Sequence, residues 1–260
     1  MAYSLDLSGR VALITGASGG LGAQFARTLS RAGAAVVLAS RRLEKLKHLR
    51  AQIEAEGGAA HVIELDVCDH LSIKACVAHA ETEVGPIDIL VNNSGVSTTQ
   101  RLQDVGPEDY DFMFDTNVKG AFFVAQEVGK RMLARSRGSL PGTFAGARII
   151  NIASMAGLGV LPQIGVYCMS KAAVIQMTKA MALEWGKFGI NVNAICPGYI
   201  DTDINHDHWE TEQGKKLVQM LPRKRIGKPE DLDALLVMLA SAEGHFLNGA
   251  VIAADDGFGI

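Results

Sequence analysis

The sequence is poor in the features that would set it apart from an ordinary globular protein. Its four cysteines, Cys68, Cys76, Cys168 and Cys196, never fall as Cys-x-x-Cys. Neither a disulfide framework nor a cysteine-bound metal is expected, and a reducing cytoplasm is the expected setting. No apolar run approaches the roughly 18 residues of a membrane span. Asp6 and Arg10 precede a short first apolar run, which is not the pattern of a signal peptide. Charge of neither sign dominates: a formal net charge of −3 leaves no basic footprint for nucleic acid and no acidic tail. Prolines number only seven, and no Pro/Gly/Ser-rich linker divides the 260 residues. A single domain covering 1–260 is expected.

What is present is apolar residue, at 48%, and glycine, at 28 positions concentrated in turns. Short continuous apolar runs at Val11–Ile14, Ala35–Ala39, His61–Leu65, Ile87–Val91, Arg148–Ala153, Ile190–Ile195 and Ala250–Ile252 read as buried strands. Helical periodicity separates them. Leu21, Phe25 and Leu29 share one stripe; Ile73, Cys76, Val77, Ala80 and Val84 share another. Tyr110, Phe114, Val118, Phe122 and Ala125 mark the inward face of a helix that begins at Pro107. Charged residues 42–55, the stretch 166–187 and residues 230–240 complete the helices. Strand–helix alternation throughout predicts an α/β, doubly wound Rossmann-type fold: a mostly seven-stranded parallel sheet with helices on both faces. Residues 136–147 break the rhythm as a long, breaker-rich connection. Residues 97–104 and 204–221 are the expected lining of a substrate region, with a substrate loop at about 200–222 in what reads as a loop or short-helix region. Within it, His206 and His208 flank Asp207; a solvated loop fits them, and no metal site is expected.

Three groups of residues carry chemistry. Between the first strand and first helix lies Gly16-x-x-x-Gly20-x-Gly22. Glycines there allow a tight turn and let a diphosphate approach amides at a helix N-terminus, so Gly16, Ser18, Gly19, Gly20, Leu21 and Gly22 are candidate cofactor residues. No P-loop lysine is present, which speaks against kinases and ATPases. Beyond the second strand come Ser40, Arg41 and Arg42, with no acid before Glu44. An acid at this turn binds a ribose 2′-hydroxyl and an arginine a 2′-phosphate, so NADP(H) is expected over NAD(H). Third, Asn117, Ser154, Tyr167 and Lys171 form a candidate catalytic group. Tyr167 and Lys171 lie one helical turn apart. A cation there is expected to lower the phenol pKa from its usual value of about 10 and make Tyr167 a general acid or base. Ser154 ends a strand at the edge where ligands bind in such folds. Asn117, by itself, reads as a satisfied buried amide interrupting an apolar stripe.

Together these residues resemble the short-chain dehydrogenase/reductase family, the subfamily with Thr-Gly-x-x-x-Gly-x-Gly and Tyr-x-x-x-Lys motifs and members such as 3-oxoacyl-acyl-carrier-protein reductases. The resemblance runs from Thr15–Gly22 through Asp66-Val67, Asn92-Asn93-Ser94-Gly95, Asn117, Ser154 and Tyr167/Lys171 to Pro197-Gly198 and Thr202. Ser94 stands where the family usually has alanine, and Asp255-Asp256-Gly257 where Asp-Gly-Gly is usual. The resemblance implies that Ser154 binds a substrate carbonyl and Tyr167 donates the proton as hydride arrives. It implies that Lys171 lowers the tyrosine pKa and binds the nicotinamide ribose, and that Asn117 holds a water beside the lysine. Asp66 and Val67 would meet the adenine, Asn93 with Ser94 and Gly95 the ribose side, and Pro197, Gly198, Ile200 and Thr202 the nicotinamide. A small carbonyl or alcohol substrate is implied, and a homodimer or homotetramer built on the helices carrying Asn117 and Tyr167 and on the last helix and strand.

Other classes share parts of this pattern. Epimerases and dehydratases on the scaffold use Tyr and Lys but show a different glycine spacing and a longer substrate domain. A nucleotide-sensing or scaffolding protein would lack the tyrosine or the lysine, and both are here. The substrate is not legible: 3-oxoacyl thioesters, sugars, steroids and small ketones fit equally.

Overall fold

The computed structural model describes residues 5–140, 143–202 and 205–260. Seven strands form one sheet in the order β3-β2-β1-β4-β5-β6-β7, and every neighbouring pair is parallel. They are β1 (Val11–Thr15), β2 (Ala35–Ser40), β3 (Ala60–Glu64), β4 (Ile89–Asn92), β5 (Ala147–Ile152), β6 (Ile190–Pro197) and β7 (Val251–Ala254). All residues of β1, β4, β5 and β6 are buried. That is why these runs are apolar without alternation: helices cover both sheet faces. The expected fold class is the one observed.

One face is covered by α1 (Gly20–Arg31), α2 (Leu43–Ala55) and α9 (Asp233–Ala240), with Phe25, Leu29, Leu46 and Leu236 in its core. The other carries α3 (His70–Glu83), α5 (Ala121–Gly138) and α6 (Gly165–Trp185), with Ile73, Val77, Val124, Val128 and Met181 in its core. Strand order reverses between β1 and β4. The crevice outside their carboxyl ends is where ligands bind in such sheets, and the site lies there.

Two expectations are corrected. The inward stripe of Tyr110, Phe114, Val118, Phe122 and Ala125 assumes one uninterrupted helix. Instead α4 (Pro107–Phe114) runs through a six-residue π-helical turn, Asp115–Gly120, into α5. The wider turn rotates the face: Met113, Thr116, Asn117, Gly120, Ala121 and Val124 are buried along with the expected Ala125, Phe114 and Val118 are half-buried, and Tyr110 and Phe122 are exposed. The helix placed at 230–240 begins as a tight 3-10 turn, Pro229–Leu232, before α9. As expected of a loop or short-helix region, the substrate loop contains two short helices, α7 (His206–Glu210) and α8 (Glu212–Met220); its Ile204 lies outside the described residues. Of the connection at 136–147, α5 takes the first three residues, and Pro141 and Gly142 lie outside the described residues. Phe144 packs against Gly189, at the amino edge of the sheet, opposite the site. Among the described residues no helix is long and apolar enough to cross a membrane.

Candidate active site

The β1–α1 turn is shaped for a bulky anion. Gly16 and Gly20 have φ of 65° and 52°, a region side chains disfavour. A Cβ on Gly22 would run into the Gly16 carbonyl and Asn93. The N-terminus of α1 has no side-chain cap, so its first amides and the positive end of its dipole remain for a ligand. These features fit the diphosphate of a dinucleotide. The opposite wall is fixed by Thr15, whose hydroxyl accepts from the amides of Asn93 (2.9 Å) and Ser94 (3.0 Å). Asn93 Nδ2 in turn donates to the Thr15 carbonyl at 3.1 Å. Thr202, beyond β6, closes over the turn: its Cβ lies 3.6 Å from where a Gly20 Cβ would stand.

At the end of β2 the two arginines differ. Arg42 is anchored, its Nε donating to Ser18 Oγ at 3.0 Å and its amide to Ser40 Oγ at 3.1 Å. Arg41 is exposed and only loosely paired, 3.9 Å from Asp66. Asp66 spends one oxygen on the Cys68 amide. Its neighbour Val67 packs against Gly120, where a Cβ would lie 2.8 Å from the Val67 carbonyl. Gly198 follows β6 and packs so closely on Asp255 that any side chain would collide. Ile200 bridges to Gly227 at the base of the substrate loop.

Ser154, Tyr167, Lys171 and Asn117 come together at the same edge. Ser154 follows β5 and caps a short turn, accepting from the Ala156 amide at 3.1 Å. Its hydroxyl also faces the Tyr167 phenol closely enough to favour the phenolate. Lys171 is 5% exposed; its Nζ donates to the Ile152 carbonyl at 2.9 Å and lies 5.6 Å from the Tyr167 ring centroid. Burial pulls the lysine down to about 8. Burial also raises the Tyr167 pKa, with the Ser154 hydroxyl working in the other direction. The expected lowering of the phenol by Lys171 is therefore not what this site shows. The ammonium is engaged by Ile152 and is itself easily discharged, so desolvation of the phenolate prevails.

Asn117 sits in the π-helical turn, 1% exposed. Its amide accepts from Val96 N (2.8 Å) and donates to Val96 O (2.8 Å) and Ser170 Oγ (3.0 Å). Ser170 Oγ then donates to the Tyr167 carbonyl at 2.8 Å. The side chain thus ties the chain after β4 to the helix that carries Tyr167. Asn117 Oδ1 and Lys171 Nζ each lie 3.4 Å from where a Gly95 Cβ would stand, which places Gly95 directly against both side chains. Sequence reasoning gave no role to Thr15 or Ser170. Both lie inside quoted motifs, but their work is hydrogen bonding across strands and turns, which spacing does not reveal. It also overlooked Cys196, whose buried thiol is pushed up to about 11 and stays neutral beside Tyr167 and Lys171.

Loops beyond the edge carry two orphaned polar atoms. Gln100 Oε1 and Trp209 Nε1 are buried without a hydrogen-bond partner among the described residues. His206 pairs with Asp201 at 3.1 Å.

Residues 10–213 match the model of the short chain dehydrogenase family. The chain is 38% identical over 253 residues to gluconate 5-dehydrogenase of Gluconobacter oxydans, covering 97% of this chain and 95% of that one. It is 33% identical over 255 residues to an NAD-dependent glycerol dehydrogenase of Listeria innocua, covering 98% and 96%. A crystal structure of a gluconate 5-dehydrogenase from Burkholderia cenocepacia in complex with NADP and tartrate superposes with a TM-score of 0.90 at 35% identity, covering 98% and 96%.

Proposed function

The chain belongs to the short-chain dehydrogenase family and is an oxidoreductase of alcohol and carbonyl groups, and from this premise we propose that it is an NADP(H)-dependent reductase of compact, hydroxylated ketones, with Tyr167 as general acid. The observation that carries the reading is the convergence of the Ser154 and Tyr167 hydroxyls with buried Lys171, its Nζ 5.6 Å from the Tyr167 ring centroid, at the edge that holds the uncapped glycine turn.

A substrate carbonyl oxygen placed between the two hydroxyls accepts from both, and negative charge developing on it is stabilised by these donors. Pro197, Gly198, Ile200 and Thr202 would hold the nicotinamide, with Asn93, Ser94 and Gly95 on its ribose side, and the bound cofactor would supply the hydride. Tyr167, kept protonated at neutral pH by burial, gives its proton to the oxygen. The phenolate left behind favours the charged form of Lys171, which stabilises it in turn. Asn117 keeps this arrangement in place through Val96 and Ser170, and Gly16 to Gly22 with Asp66 and Val67 hold the rest of the nucleotide.

Arg42, anchored on Ser18, with Arg41 beside it supports a 2′-phosphate; the structural relative named with NADP is consistent with this. NAD(H) is the second reading, favoured by the glycerol dehydrogenase relative. The substrate class rests on the orphaned acceptor of Gln100 and donor of Trp209, which hydroxyl groups would satisfy, and on relatives named for gluconate and glycerol. We further infer one domain over residues 1–260, a cytoplasmic setting, and a homodimer or homotetramer.

The test is a panel of hydroxylated ketones and 3-oxoacyl thioesters with NADPH oxidation as readout. Hydroxylated ketones should turn over, and Tyr167→Phe should cut kcat by about 10²–10⁴-fold while NADPH still binds. Absence of turnover with every carbonyl would overturn the reading.

A further inference from the structure

The C-terminal turn enters the site from the far side of β7. Phe258 packs against Met155, Ala156 and Cys168, the same small cluster on which Tyr167 packs. Its ring also meets Tyr199 at 5.1 Å between centroids, tilted by 59°. Phe258 also lines a cavity of about 420 Å³ together with Tyr199 and Leu221 and with the charged Arg223, Arg225, Asp231 and Asp256. Neither Ser154 nor Tyr167 borders that cavity. Phe258 is thus a partition between the catalytic edge and an empty volume beneath the substrate loop.

The partition is held by charge. Asp256 adopts φ of 56°, a left-handed conformation that aspartate and asparagine tolerate better than most residues. Its carboxylate accepts from Arg225 Nε and Nη2 at 2.6 and 3.2 Å and from Arg223 Nη1 at 3.1 Å. Both arginines lie on the limb returning from α8, just before Gly227 bonds back to Tyr199 at 2.9 Å. Asp255 tightens the turn by accepting from the Gly257 and Gly259 amides at 3.1 and 2.8 Å. Two residues beyond the clasp, the ring of Phe258 has little freedom to swing away.

We propose that Phe258 is a specificity-determining residue that limits substrate size, and that Asp256 is the positioning residue that holds it in place through Arg223 and Arg225. The inference rests on the carbonyl-reductase reading above. With Phe258 present the site takes compact ketones. With the ring removed, the catalytic edge opens into the cavity and admits a larger substituent.

The experiment compares one compact hydroxylated ketone with one aryl ketone and one long-chain 3-oxoacyl thioester, using NADPH. Phe258→Ala should raise the bulky-to-compact ratio of kcat/KM at least tenfold, and Phe258→Leu should raise it less. Asp256→Asn keeps the tolerance for the left-handed backbone but removes the charge. It should move the ratio the same way through KM, and half-molar salt, which screens the pair, should shift wild type toward this variant. NADPH affinity unchanged in each variant verifies folding. A ratio unmoved in both Phe258 variants overturns the partition. A ratio moved by Phe258→Ala but not by Asp256→Asn overturns the clasp. If wild type reduces none of the three ketones, the reductase reading fails first, and that failure is separable from either of these.

Discussion

Lys171 shows how function and stability oppose each other at a single residue. Its pKa falls from 10.5 to about 8 on burial. A lysine whose folded pKa is depressed costs stability in full at pH values below about 8, and the cost fades as pH rises from 8 toward 10.5. The shift corresponds to about 3 kcal/mol, partly offset by the bond to the Ile152 carbonyl. Lys171→Met should therefore lose turnover yet gain about 1–2 kcal/mol of stability at pH 7, a few degrees in Tm. The gain should shrink by pH 10. Calorimetry at the two pH values checks it, and a variant less stable than wild type at pH 7 would contradict the argument. The arginines offer a second test at this scale. The sequence offers Arg41 and Arg42 alike, but Arg42 is the one already oriented, by Ser18 and Ser40. A pre-oriented guanidinium loses less freedom on meeting a phosphate. Arg42→Ala should weaken NADPH about ten- to a hundredfold, as expected for a charged hydrogen bond of about 1.5–3 kcal/mol. It should leave NADH nearly unchanged, and Arg41→Ala should do less. Titration of both nucleotides by fluorescence measures this, and equal NADPH and NADH affinities in wild type would remove the basis for NADP(H).

At the scale of elements, much of the site was legible because it lies at strand ends. A continuous apolar run stops where its strand leaves the core, so Gly16, Asn93, Ser154 and Pro197 could be placed on one edge from order alone. The diphosphate turn was legible for the same reason, since backbone conformation there is dictated by glycine. What could not be read was the path between α4 and α5. An apolar stripe counted at 3.6 residues per turn has no means of signalling an inserted π-helical turn, and the aromatic residues at 110, 114 and 122 favoured the wrong face. The packing requirement that decides it is long-range: Gly120 must meet Val67, and Asn117 must reach Val96. Likewise the pKa direction of Tyr167 depends on how deeply the phenol is buried, and one-turn spacing from a lysine says nothing about that. The clasp on Asp256 was beyond reach as well. The sequence showed an unusual acid near the end of the chain, but its partners lie more than thirty positions earlier.

For the whole molecule, the corrected helix face has a consequence. The rotation that buries Asn117 turns Phe112 and Phe122 outward, and on α6 Leu183 is 84% exposed. These are the helices that carry or adjoin the catalytic group, so their outer surfaces are the proposed contact with further copies of the chain. Large apolar side chains on successive helices are more than scattered exposure requires, and a net charge of −3 opposes association only weakly. Light scattering should give a mass two or four times 27.6 kDa. The double substitution Phe122→Asp and Leu183→Asp should reduce it to that of one chain and remove the concentration dependence of Tm that assembly confers. Because α6 holds Tyr167 and Lys171 from one side and meets the copy with the other, dissociation should also loosen the catalytic group, and kcat should fall together with mass. A wild-type mass of 27.6 kDa would refute the assembly, and a dissociated variant with full kcat would show that one chain alone keeps Ser154, Tyr167 and Lys171 in register.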